Sequence, residues 1–69
     1  MARYYVNDNA QSNGDHEVHE RDCAWMPDRD NRTYLGSYNS CRPAVREARR
    51  NHYSQVNGCK HCSPACNTD

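Results

Sequence analysis

Residues 58–62 read Gly58-Cys59-Lys60-His61-Cys62 and place two cysteines three positions apart, directly after a glycine. In such a turn both thiolates and the backbone that joins them converge on one point, an arrangement in which proteins often hold Zn²⁺. Zn²⁺ prefers four nitrogen or sulfur ligands in tetrahedral geometry. The stretch therefore predicts half of a metal site, whose other half must come from elsewhere in the chain.

The second pair of ligands is His19 and Cys23, which are separated by three residues. We predict that one Zn²⁺ is bound by His19, Cys23, Cys59 and Cys62, with Cys66 as an alternative to His19. Such an ion would tie the two ends of the fold together, so that its binding free energy becomes folding free energy. The competing interpretation makes His19 a solvent-facing strand residue and Cys23 a small buried apolar residue.

The other cysteines and histidines have less definite roles. Cys41 is expected to be a buried thiol on a helix, although a Cys41–Cys66 disulfide would also be consistent with one ion taking the other ligands. His61 lies between Cys59 and Cys62, in the turn that carries both thiols (the knuckle turn), and its side chain is expected to point away from the ion. His16 remains a spare potential ligand.

The composition of the chain explains why its fold needs a cross-link, such as a bound metal ion or a disulfide, in addition to an apolar core. The 69 residues include five cysteines and four histidines but no Phe, no Ile, one leucine (Leu35) and four valines. A chain of this size gains only a few kcal/mol, on the order of 3–5, from its core. An odd number of cysteines cannot pair completely within one chain, which favours a metal over a mini-domain held only by disulfides.

The first thirty residues contain no apolar run long enough for a signal sequence or a membrane span. We therefore expect a cytoplasmic protein that does not associate with membranes. A reducing compartment would also disfavour structural disulfides.

The pattern of residues predicts a small α+β fold. Strands are expected at Arg3–Val6, Asp15–Glu20 and Arg32–Tyr38 because these segments are rich in aromatic and β-branched residues or alternate in polarity. We predict that they form a three-stranded antiparallel sheet, covered by one helix and stapled by the metal site. The whole chain, residues 1–69, is expected to be a single domain with an ordered core over residues 3–62 and a polar tail over residues 63–69.

The helix is predicted from Cys41 to His52, with Ser40 as its N-cap. Its small or apolar residues recur at helical spacing and form a narrow stripe for packing on the sheet. Aromatic side chains are expected to supply the missing apolar area. The residues of the helix stripe are Cys41, Ala44, Val45, Ala48 and His52, and the aromatic residues are Tyr4, Tyr34, Tyr38 and Trp25.

Charge is divided along the chain although the net charge is zero. Residues 1–30 hold seven acidic and three basic side chains, a balance of −4, and residues 31–69 hold six basic and two acidic ones, a balance of +4. Such asymmetry can mark a binding surface for nucleic acid or simply a solvated helix face. The candidate phosphate-contacting residues are Arg42, Arg46, Arg49, Arg50 and Lys60.

The order and spacing of these motifs resemble the small zinc module of the Ada type. The matching features are His19-x3-Cys23, the segment Tyr34-Leu35-Gly36, the helix from Cys41 to Ala48, and Gly58-Cys59-x2-Cys62-x-Pro64. The resemblance covers about residues 16–66, and the sequence is also similar to small uncharacterised bacterial Cys/His proteins. It implies a zinc-stapled fold with a binding or scaffolding role.

The Ada-type module transfers a methyl group from a DNA phosphotriester to the first thiolate of a four-cysteine site, whereas that position here matches His19. Histidine cannot act as that thiolate nucleophile, so we expect no self-methylating repair reaction. We also expect no enzyme, because the chain is too short to form a sizeable substrate pocket. The remaining expectations are a monomer whose partner is either a nucleic acid or another protein.

Overall fold

The computed structural model describes residues 1–68 and contains four strands, one helix and two short 3-10 turns. The strands and helix follow one another along the chain as β1, β2, β3, α1 and β4, and a 3-10 turn precedes β3 and another follows β4. Their bounds are β1 Ala2–Asn7, β2 His16–Glu20, β3 Arg32–Tyr38, α1 Cys41–Asn51 and β4 Val56–Gly58, with the turns at Arg29–Asn31 and Pro64–Cys66.

The four strands form one mixed sheet in the order β3-β1-β2-β4. Strand β1 pairs antiparallel with both β2 and β3, as predicted, whereas β2 and β4 are parallel. His16 lies opposite Val56 in this parallel pair, and Val18 lies opposite Gly58. The α+β class is confirmed, but the prediction of three antiparallel strands is wrong by one parallel edge strand.

Strand β4 is not predicted from the sequence because it has only three residues and includes the turn-prone pair Asn57-Gly58. Its pairing with β2 is what makes it a strand. Backbone hydrogen bonds extend the pairing at both ends, from His16 N to Gln55 O at 3.0 Å and from Cys59 N to Val18 O at 2.9 Å. The second bond places Cys59 directly beside β2.

Helix α1 packs on the sheet through small side chains. Ala44 and Ala48 are fully buried, as are Val6 and Val18 on the two central strands. Small residues let the helix axis approach the sheet closely, which suits a chain with few large apolar residues. The buried apolar cluster consists of Tyr4, Val6, Val18, Leu35, Cys41, Ala44, Val45, Ala48 and Val56.

Some of the predicted core residues lie at the surface instead. Trp25 is 62% exposed and Tyr34 51% exposed, so these two aromatic side chains add little to the core. The helix ends at Asn51, one residue before the predicted end, and His52 is its exposed C-cap. Ser40 occupies the predicted N-cap position but makes no side-chain capping bond.

A polar cluster joins the loop after β1 to the rest of the fold. Tyr53 and Thr33 both donate hydrogen bonds to Asp8 Oδ1, at 2.8 and 2.7 Å. The ring of Tyr53 also stacks on His16, with 3.6 Å between ring centroids. These contacts connect β2, β3 and the segment that follows α1.

Residues 63–68 pack against the domain, although this segment was predicted as a polar tail. Ser63 is 3% exposed, and Cys66 forms a disulfide with Cys41, the first residue of α1. Asp69, the end of the predicted tail, lies outside the described residues. None of the helices in residues 1–68 has the length and apolar character needed to cross a bilayer.

Candidate metal centre

Four side chains from three separate segments meet beside the end of β2. His19 lies on β2, Cys23 lies in the turn after it, and Cys59 and Cys62 follow β4. One ligand atom from each residue lies within 4.8 Å of the others. The structure thus brings together the four residues that the sequence indicates, and the group could hold a metal ion.

The separations suit a tetrahedral ion of the size of zinc. With Zn–S bonds of about 2.3 Å, two sulfur ligands of a tetrahedron are about 3.8 Å apart. Cys23 Sγ and Cys59 Sγ are 3.9 Å apart. An ion can therefore be bound without a large movement of these two side chains.

His19 provides a second test of fit. Its side chain is 1% exposed, and within residues 1–68 neither ring nitrogen has a hydrogen-bond partner. A buried polar atom without a partner costs about 1–3 kcal/mol. Glu17 Oε1 lies 3.6 Å from Nε2, near enough to be the carboxylate that often accompanies a metal-bound imidazole. A metal ion would supply the missing partner of the ring.

Backbone N–H groups already point at two of the sulfurs. Glu20 N donates to Cys62 Sγ at 3.3 Å, and His61 N donates to Cys59 Sγ at 3.4 Å. Hydrogen bonds to the charged form stabilise a thiolate. The turn is closed by a bond from Ser63 N to Cys59 O at 2.7 Å. The chain around the cluster is therefore arranged to receive thiolate charge.

The surroundings of Cys62 disfavour its thiolate form when no cation is near it. Burial raises the pKa of Cys62 to about 12; the Cys23 and Cys59 thiols add to this rise, and the Glu20 N–H group opposes it. Burial also lowers the pKa of His19, and the neighbouring His61 acts in the same direction. Neutral imidazole is the form that binds a metal, and a bound cation offsets the cost of thiolate charge.

The remaining cysteines are separate from this cluster. Cys66, the alternative ligand, is bonded to Cys41, and the two Cα atoms are 6.3 Å apart. The disulfide was one of the roles left open for this pair by the sequence. It leaves Cys23, Cys59 and Cys62 as the free thiols. His61 lies outside the ligand group and stacks on Trp25, with 4.7 Å between ring centroids.

The structure brings together only three of the five basic residues that were predicted to contact phosphate. Arg42, Arg46 and Arg49 lie on one side of α1 and line the same cavity, with Ala65, Cys66 and Thr68 opposite. The structure does not include Arg50 or Lys60 in that lining. Both are exposed, and Lys60 lies between the two cysteines of the knuckle turn. The cavity was not predicted, because its second wall belongs to the supposed tail.

Comparison with models of known protein families, with curated proteins and with solved structures found no match to this chain.

Proposed function

We propose that this chain is a small binding module whose fold is stapled by one structural Zn²⁺ at His19, Cys23, Cys59 and Cys62. The observation that carries the proposal is the fully buried imidazole of His19, which lies beside three free thiols and has no hydrogen-bond partner within residues 1–68. Three sulfurs and one imidazole favour zinc over calcium or magnesium, which prefer oxygen ligands.

The role assigned to zinc is structural rather than catalytic. Four protein ligands complete a tetrahedron and leave no position for a substrate or a reactive water. His19 and Cys59 are each 1% exposed, which further restricts access to the ion. The ion would connect β2 and its following turn to the segment after β4.

Kinship with the Ada-type zinc module belongs to this proposal. It is supported by the placement of the two ligand pairs, which lie on either side of β3 and α1 along the chain. His19 at the first ligand position would exclude methyl transfer to that residue. The inherited role would then be binding, with zinc maintaining the fold.

Metal content and ligand identity test the proposal together. Native mass spectrometry should show one zinc per chain in the wild type and no zinc in His19→Ala, and Cys41→Ala should retain it. Cobalt substitution should give the visible bands of a tetrahedral thiolate site. A wild-type chain that carries no metal after expression with zinc, or a cobalt spectrum typical of five or six ligands, would contradict the proposal.

Nucleic-acid binding is the second candidate function. Within residues 1–68 no Arg or Lys side chain lies within 4.0 Å of a carboxylate, so the arginines of α1 are available for other anions. Four phosphate contacts to a single strand would give a slope of log affinity against log salt of about −3. The residues concerned are Arg42, Arg46, Arg49, Arg50 and Lys60.

Fluorescence anisotropy with a labelled single-stranded oligonucleotide measures this slope. Binding at low salt should weaken sharply in the double variant Arg46→Glu, Arg50→Glu. Unchanged affinity in that variant would exclude the arginine surface. A protein partner would be favoured instead by a pull-down that requires zinc and is insensitive to the same two substitutions.

A further inference from the structure

A cleft between α1 and the Pro64–Cys66 turn is lined by three arginine residues of the helix. Arg42, Arg46 and Arg49 are at positions i, i+4 and i+7 of the helix, and such residues project from one side of a helix. The cavity they line has a volume of about 280 Å³. This site is separate from the metal cluster, with which it shares no residue.

The charge of the cleft is positive and uncompensated by its own lining. No Asp or Glu belongs to the described residues that surround the cavity, and within residues 1–68 none of the three arginines forms an ion pair. An anion in the cleft would be attracted by all three arginines that line it. Guanidinium is the cation best suited to a tetrahedral oxyanion, because its N–H groups match two oxygens at once.

Parts of both walls of the cleft are tied to the rest of the fold. Arg49 Nη2 donates to Val56 O at 3.3 Å, which holds one guanidinium against β4. On the opposite wall, the disulfide joins Cys66 to Cys41, and Thr68 N donates to Asn57 Oδ1 at 3.1 Å. Binding of an anion therefore costs these side chains less conformational freedom than it would in a site with flexible walls.

We infer that this cleft is a binding site for a phosphate dianion, either free or as the terminal phosphate of a nucleotide. The volume lies just below the range of about 300–1,000 Å³ that is usual for small-molecule sites, so the cleft suits a small anion better than a larger ligand. One phosphoryl group bound by Arg42, Arg46 and Arg49 satisfies the site. The inference holds whether or not the chain binds long nucleic acids.

Titration followed by ¹H–¹⁵N NMR tests this site on the full, zinc-loaded chain with no excess metal. Inorganic phosphate should shift the side-chain Nε–H signals of Arg42, Arg46 and Arg49 along saturable curves. Sodium chloride at equal ionic strength should not produce saturation. Arg46→Gln should weaken phosphate affinity about tenfold, the effect of losing one charge-assisted hydrogen bond.

Arg29→Gln is the matched control, because Arg29 is also exposed, does not line the cavity and is not one of the candidate nucleic-acid residues. It should change the affinity less than twofold. An equal loss in both variants, or chloride shifts that match those of phosphate, would overturn the inference. Adenosine monophosphate as a second probe separates the sources: binding tighter than that of phosphate indicates a nucleotide, and equal binding indicates the phosphate alone.

These outcomes are independent of the proposed zinc staple. A failed staple appears as missing metal in the mass spectrum, whereas a failed anion site appears as unsaturable shifts in a folded, metal-loaded protein. Arg42→Gln serves as a second variant, with the same expected loss of affinity, if Arg46→Gln changes the overall NMR spectrum.

Discussion

Replacing His19 with leucine should have different effects on the metal-free and the metal-bound protein. Within residues 1–68 both ring nitrogens of His19 are buried without hydrogen-bond partners. Because Glu17 Oε1 lies 3.6 Å from Nε2, only the cost of Nδ1 is counted, about 1–3 kcal/mol, and an apolar side chain of similar volume removes it. His19→Leu should therefore leave the metal-free protein equally stable or raise its free energy of unfolding by about 1–3 kcal/mol.

In the presence of zinc the loss of a metal ligand opposes this gain, and it outweighs any gain below about 2.8 kcal/mol. At free zinc about 1,000-fold above its dissociation constant, the ion adds about 4 kcal/mol to the free energy of unfolding. Residues that only hydrogen-bond to metal ligands change affinity by about 10- to 100-fold, so loss of a ligand should cost at least about 100-fold. A loss of that size removes about 2.8 kcal/mol of the zinc-dependent stabilisation.

Urea unfolding followed by circular dichroism, with and without buffered free zinc, measures both effects. Competition with a chromophoric chelator gives the zinc affinity directly, including for a chain that is poorly folded without metal. His61→Leu is the matched control, since it removes an exposed histidine from the middle of the knuckle turn and should leave zinc affinity unchanged. The reasoning is refuted if His19→Leu binds zinc as tightly as the wild type, or if it destabilises both forms equally.

Three further outcomes follow from the packing. Gly58→Ala should lower the free energy of unfolding by about 1–3 kcal/mol, because its Cβ would lie 2.9 Å from the backbone carbon of Cys66. Denaturant unfolding should show a larger loss for Gly58→Val, and equal stability of the wild type and both variants would contradict the close approach. Replacing both Cys41 and Cys66 with alanine should lower the free energy of unfolding by about 3 kcal/mol, as expected for a loop closed across a sequence separation of 25. The mass spectrum should still show one zinc per chain, and loss of the zinc would contradict the assignment of the metal ligands. The hydrogen bond to Asp8 raises the pKa of Tyr53 above the ordinary value of 10.0. The stability that this hydrogen bond contributes is therefore complete below pH 10.0 and is lost as the pH rises through the raised pKa. Tyr53→Phe should remove a late-ionising tyrosine from an absorbance titration, and an unchanged titration would contradict this.

The metal cluster was accessible from sequence because ligand spacing reflects local geometry. A Cys-x2-Cys turn brings its own thiolates together whatever the rest of the chain does, and His19 and Cys23 are close in sequence as well. The disulfide was harder to assign, since Cys41 and Cys66 are distant in sequence and free thiols are also commonly buried. Only the position of the Pro64–Cys66 turn beside the start of α1 decides their partnership.

The fold was predictable where a segment carries its own periodicity. Helix α1 and strands β1, β2 and β3 have enough residues to show a pattern, and the structure confirms them with small shifts at their ends. Strand β4 has three residues and depends on β2 for its hydrogen bonds, so its identity comes from tertiary contacts. The exposure of Trp25 likewise follows from its place in the turn that carries Cys23, where stacking on His61 is its ring contact.

The short segment after β4 explains how so small a core can be stable. Cys59 and Cys62 face the cluster beside β2, and Cys66, four residues further on, is bonded to the start of α1. A bound metal would fix one side of this segment to the sheet, and the disulfide fixes the other side to the helix. Strand β4 would then be held in register by cross-links at its end as well as by the burial of Val56. The metal site depends on this register because Cys59 directly follows Gly58, whereas the disulfide can form wherever the turn meets α1. Loss of the β2–β4 pairing should therefore weaken metal binding before it breaks the link to the helix.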